Sequence, residues 1–268
     1  MFRPNLIYTG RMKWGYGILV LAAAMMGAGC SSDAGLDAPP AGGYDAQYVL
    51  NTLAQARTFA AEGNHESALK RFVWYHENAL KYAEDQKTIR LTFALTAWME
   101  LAKKYPKAKE ELTKIRDKTW EKAKAEGADP ELYNEVEAIT YALGDMASAR
   151  QLYYDKPNLP LAERRVLANI DEVVKFGDKK WLADIVGDAD KTMAALQAHH
   201  KAQEGEGGGG GGRGPRGGGG ALGNDLAAIV KAAAAASGPE AGKAVQAKAL
   251  EIVDSRAIRS ALEAPEGD

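Results

Sequence analysis

One cysteine, four histidines and a compact run of aromatic and charged residues carry most of the reactive capacity of this 268-residue chain. Cys30 is the only thiol, so neither an intrachain disulfide nor a thiolate metal cluster is open to it. The histidines are His65, His76, His199 and His200, and no two of them stand in a His-Glu-x-x-His pattern. His199-His200 reads as a solvated helix end rather than a metal site. The chain has no Gly-Lys-Ser/Thr step and therefore no phosphate-cradling P-loop. The densest group is Phe72-Val73-Trp74-Tyr75-His76-Glu77, with Arg90, Phe93, Trp98 and Glu100 as partners across a helix pair. Two readings follow. Trp74, Tyr75 and Trp98 line a groove that receives a peptide, with Arg90 holding its carboxylate; or they are core aromatics, with Arg90 paired to a nearby Glu. An enzyme would need His76 and Glu77 to converge in a pocket with a perturbed pKa. The expectation is a chain with no catalytic, metal or cofactor site.

Charge narrows the partners. The formal net charge is -2, and setting aside Arg3, Arg11 and Lys13 leaves 31 basic against 36 acidic residues. Such a balance gives no electrostatic basis for holding nucleic acid. Arg213-Gly214-Pro215-Arg216 resembles RNA-binding Arg-Gly segments, but two arginines neutralise too few phosphates to change that. Lys103, Lys104, Lys107 and Lys109 surround Pro106 beside Glu110 and Glu111, the composition of a solvated turn.

The amino end has the form of an export signal. Arg3, Arg11 and Lys13 precede an apolar stretch from Trp14 to Ala28, which closes in Gly27-Ala28-Gly29-Cys30. The apolar run is short for a membrane span, which takes roughly 20 residues. A cysteine directly after the small residues resembles the lipobox of bacterial lipoproteins. That resemblance implies cleavage after residue 29, a diacylglycerol on the Cys30 thiol and acylation of the new amino terminus. The membrane partner would then be lipid, through acylated Cys30. It also implies a cell-envelope location, at the periplasmic face of an outer membrane where there is one, because Ser31 is not the retaining Asp.

The remainder reads as all-α. Residues 30–43 form a Pro- and Gly-containing membrane tether, and residues 44–203 a helical domain. Apolar residues recur at helical spacing through Leu50, Leu53 and Phe59, then through Leu69, Phe72, Tyr75 and Leu80. Single helices are expected over Ile89–Lys104, with Phe93 on its apolar face, over Ala108–Glu126, Pro130–Leu143, Asp145–Tyr154 and Leu161–Phe176, with another from Asp178 onward. Residues 204–223 are a Gly-rich flexible linker, because ordering glycine costs more entropy than such a run recovers by packing. Residues 224–268 hold two short helices, small for an independent domain and therefore docked on the main body or ordered by a partner.

Three breaks look alike: Gly63-Asn64, Gly144-Asp145 and Gly177-Asp178. Glycine allows the positive backbone angle that ends one helix, and Asn or Asp caps the next. With Ala68 and Phe72 after the first, and Ala149 and Tyr153 after the second, residues 44–183 resemble tetratricopeptide repeats. The resemblance implies antiparallel helical pairs stacked as an α-solenoid, a small residue where paired helices touch, and a concave face that binds protein. The expected function is a lipid-anchored scaffold for a protein or peptide. The alternatives are a structural envelope component without a specific groove, or an envelope enzyme.

Overall fold

A computed structural model describes residues 43–125, 129–155, 159–206 and 218–263. Every regular element among them is helical: α1 Ala46–Ala61, α2 His65–Tyr82, α3 Lys87–Arg90, α4 Phe93–Lys104, α5 Pro106–Ala125, α6 Pro130–Ala142, α7 Met146–Asp155, α8 Ile170–Phe176, α9 Lys179–Val186, α10 Ala189–Glu206, α11 Gly218–Ser237, α12 Pro239–Ile252 and α13 Arg256–Arg259. Cys30, the export segment and nearly all of the tether lie outside the described residues, as do positions 207–217 of the Gly-rich stretch.

The three look-alike breaks have the local geometry expected of them. Gly63, Gly144 and Gly177 have φ of +82°, +68° and +77°. Asn64, Asp145 and Asp178 accept from the backbone N–H three residues on, of Ser67, Ser148 and Trp181. After α1, Asn64 N–H donates to Phe59 O and Gly63 N–H to Ala60 O. After α6, Asp145 N–H donates to Thr140 O and Gly144 N–H to Tyr141 O. These are two complete Schellman ends, whereas Gly177 makes the simpler bond to Val173 O. Ala68 and Ala149 are buried, Ala68 in the core that includes Ala56 of α1 and Ala149 in the core around α11. Leu182, at the equivalent place in α9, is buried in the core around α11.

Long-range ion pairs repeat with the turns. Arg116 of α5 donates to Asp145 at 2.6 Å, and Arg150 of α7 meets Asp178 at 2.6 Å. Arg116 on α5 thus holds the cap of α7, and Arg150 on α7 holds the cap of α9. Sequence inspection did not find this ladder, although Arg116 and Arg150 are 34 positions apart.

Several expected elements are divided. Ile89–Lys104 breaks at Leu91-Thr92, where Thr92 has φ -133° and ψ -89°. The break lets α3 aim Arg90 at α2 and α6 while α4 turns Ala94, Leu95, Trp98 and Leu101 inward. Phe93 is not on the buried face of α4: it is 74% exposed. Leu50 and Leu80 are exposed as well. Leu161–Phe176 is two short 3-10 turns followed by α8. Arg164 there is extended, and its guanidinium donates to Leu159 O and Tyr153 O.

The core has two main parts. One joins Ala56 to Leu143 through α1, α2 and α4–α6, and the other joins Ala149 to Ala261. In the second, α11 is the hub, touching α8, α9, α10, α12 and α13, with Leu226, Ile229 and Val230 wholly buried. Residues 224–263 therefore share a core with residues 149–196. Residues 218–223, expected in the linker, are the first turns of α11, and 204–206 end α10. Glycine is useful at this hub for its size. A Cβ on Gly242 of α12 would fall 2.6 Å from Ala234 Cβ of α11, and one on Gly223 would fall 2.6 Å from Ser255 Oγ.

Gly242→Val should lower unfolding free energy by about 1–3 kcal/mol through overpacking between α11 and α12, read from the urea midpoint. Gly220→Ala, with open space around it, should leave stability unchanged or raise it by about 0.5–1 kcal/mol.

Candidate functional site

The residues singled out by sequence separate into a buried network, a surface aromatic cluster and a nearby groove. Tyr75, Arg90 and Trp98 are buried, so they do not line an open peptide groove. Trp98 Nε1–H donates to Ala108 O at 2.9 Å, and its ring stacks on Phe72. Tyr75 Oη–H donates to Gln86 Oε1 at 3.0 Å, and burial pushes the phenol up to about 12.

Arg90 is paired to a glutamate, as the packing alternative expected, and the glutamate is Glu135 of α6. Arg90 donates to Glu135 Oε2 at 2.5 Å and to the His76 carbonyl at 3.2 Å. His76 Nε2 lies 2.9 Å from Glu135 Oε1. Burial alone would raise the Glu135 pKa, but hydrogen bonds from His76 and Arg90 outweigh it and bring the value down to about 2. An ionised Glu135 can only accept, so His76 Nε2 carries the proton and donates. The approach of Arg90 Nη1 to that nitrogen, 3.1 Å, is therefore a contact between two donors. Arg90 Nε is buried without a partner. Glu77, the other group an enzyme would have needed, is exposed. The network joins α2, α3 and α6, and its geometry is that of a structural tie.

Trp74 alone of the four faces the surface, half-buried among Tyr44, Tyr48 and Tyr82 with ring centroids 5.0 to 6.5 Å from its own. His65 packs near Tyr105, His199 accepts from Gln203, and His200 meets Asp225 at 2.8 Å. Among the described residues no group of three or more His, Cys, Asp or Glu is placed to hold a metal ion. No described helix is long and apolar enough to cross a membrane. Two of the four lysines around Pro106 are engaged: Lys103 pairs with Glu100, and Lys107 with Glu66, which also accepts from Tyr105.

A groove of about 460 Å³ lies between α1 and α4. On α1 it is lined by Leu53, Arg57, Ala60 and Ala61, spaced to share one helical face. On α4 the facing stripe runs from Phe93 through Ala97 to Lys104. The small alanines leave the space, and Phe93 stands at one end of it. Arg57 and Lys104 have no ion pair or hydrogen-bonding partner among the described residues, while the one carboxylate lining the groove, Glu100, is held by Lys103. The stripes run roughly 12–16 Å at the helical rise, long enough for four or five extended residues or two helical turns. Sequence reasoning put Phe93 on the apolar face of its helix, named it with Glu100 among residues that either line a groove or pack in the core, and passed over Arg57. The available signal was that Arg57 follows Leu53 by four, on the edge of an apolar stripe.

No family model matches the chain, and no curated protein or solved structure matches it either.

Glu135 supplies a test of the network. Its carboxyl is depressed from an ordinary value near 4.5 to about 2, so its contribution is complete above the unfolded-state pKa. It is lost as pH falls from about 4.5 toward 2, an amount on the order of 3 kcal/mol. Urea titrations across this range should show that loss in the wild type. Glu135→Gln should be less stable at pH 7 by about 3–5 kcal/mol, because Arg90 is left buried without its counter-charge, and should lose this part of the acid dependence.

Proposed function

We propose that the chain is a lipid-anchored cell-envelope protein that holds a protein or peptide partner in the groove between α1 and α4. The observation that carries this reading is the groove's own composition: an exposed phenylalanine over an alanine-rich floor, with two unpaired cations beside it. An apolar side chain set against Phe93 would give up water, and acidic groups flanking it would meet Arg57 and Lys104. The chemistry is recognition. Anchoring through acylated Cys30 would raise the local concentration of the bound partner at the membrane.

The repeat-like reading supports the same function. The two Schellman turns, the buried Ala68 and Ala149 and the Arg116–Asp145 and Arg150–Asp178 ladder all favour tetratricopeptide-like pairs in the first two-thirds of the chain. In such stacks the first helix of each pair lines the concave face. α1 and α4 would be those helices, and the groove lies between them.

A displayed random-peptide library selected on the full chain should enrich sequences with one large apolar residue flanked by Asp or Glu. Phe93→Ala should weaken the selected peptides at least about tenfold, the equivalent of one apolar anchor. The paired change Arg57→Glu and Lys104→Glu should turn selection toward basic peptides. Neither variant should move the unfolding midpoint appreciably, since these side chains are exposed. Absence of enrichment, or peptides indifferent to Phe93→Ala, would remove the groove as the binding site.

A further inference from the structure

We propose that the open end of the α1–α2 hairpin is a membrane-contact edge, with Tyr44, Tyr48, Trp74 and Tyr82 at the headgroup level of a bilayer. The inference rests on the lipid anchor proposed above and adds an orientation to it.

The four rings form one cluster. Tyr44 lies 5.0 Å from Tyr48, 5.0 Å from Trp74 and 5.3 Å from Tyr82, and Trp74 and Tyr82 are within 4° of parallel. Ring bodies packed this way present one amphipathic surface. The Tyr44 and Tyr82 hydroxyls and the Trp74 indole N–H have no hydrogen-bonding partner among the described residues. Aromatic rings with an apolar body and an unengaged polar tip suit the boundary between hydrocarbon and water. Leu50 and Leu80, exposed at 43% and 36%, lie toward the same end of the hairpin.

Chain connectivity selects the bilayer as the occupant. The described structure begins at Gly43, beside Tyr44, and the chain before it holds Cys30 and the apolar stretch. Ser31 to Gly43 can extend at most about 45 Å from an acylated Cys30. The aromatic end is thus the part of the folded body that an anchor would hold nearest the lipid. Charge settles the mode of contact. Asp45, Glu77, Glu84 and Asp85 outnumber Lys81 and Lys87 at this end, and Lys87 is already paired with Glu131. Contact therefore comes from ring insertion into an uncharged interface, and anionic lipid should weaken it.

The test uses the full processed chain purified from cells, reconstituted in phosphatidylcholine–phosphatidylethanolamine vesicles whose acyl chains carry bromine at a shallow or a deep position. Tryptophan emission should be quenched more by shallow bromine. Trp74→Phe should remove at least about half of that quenching, Tyr82→Ser should reduce it, and Trp120→Phe on α5 should leave it intact. Replacing about a third of the lipid by phosphatidylglycerol should lessen it. Intact mass of the same sample reports acylation at Cys30 separately. An acylated chain whose quenching ignores Trp74→Phe overturns the membrane edge and leaves the anchor standing. A chain without acyl groups overturns the anchor. The edge then stands if added vesicles still quench Trp74 and falls if they do not.

Discussion

A buried carboxylate held by two donors from other helices sets the geometry of the amino-terminal half. Taking Glu135 out of water costs several kcal/mol, and that cost is offset only while Arg90 and His76 both stay in place. The tie therefore has a directional demand: α2, α3 and α6 must meet at one point. α3 and α4 are not one straight helix: Arg90 of α3 reaches Glu135 of α6, and Trp98 of α4 packs against Phe72. The chain breaks at Leu91-Thr92, and Phe93 begins α4 facing water. The buried network uses Arg90 of α3 and the surface groove uses Phe93 of α4, on either side of that break.

The carboxyl-terminal half is organised by shape. α11 is rich in alanine, and its neighbours approach closely because Ala234 faces Gly242 and Gly223 faces Ser255. Short side chains carry little transfer energy each, but close approach gives many dispersion contacts per residue. This arrangement converts a segment too short to stand alone into the centre of a core that also takes in Trp181, Met193 and Leu196. Between the halves, the Arg116–Asp145 and Arg150–Asp178 pairs link α5 to α7 and α7 to α9. Both are repeated side-chain contacts laid over a backbone of repeated turns.

The proposed recognition groove and the proposed membrane edge fall on different parts of this body. The groove between α1 and α4 depends on small residues and on cations without counter-charges. The aromatic cluster depends on the hairpin's other features: the start of α1, the end of α2 and the point where the chain enters the fold. A protein with both would hold lipid at one end of its first hairpin and a partner along the side of the same hairpin. The groove is the site of the proposed scaffold role, and the cluster sets the direction from which a partner would approach.

Sequence alone determined the helical class and the three Gly-Asx turns, because periodicity and capping act over a handful of neighbouring residues. It also located the aromatic run and offered, as one of two readings, that Arg90 pairs with a glutamate. It did not identify Glu135, since nothing within α6 distinguishes that carboxylate from a solvated one, and its partners are 59 and 45 positions away. The exposure of Phe93, the division of Ile89–Lys104 and the central place of α11 were likewise decided by tertiary structure. Each depends on which surfaces meet across long stretches of chain, and a side chain's burial is a property of that meeting, not of its local pattern.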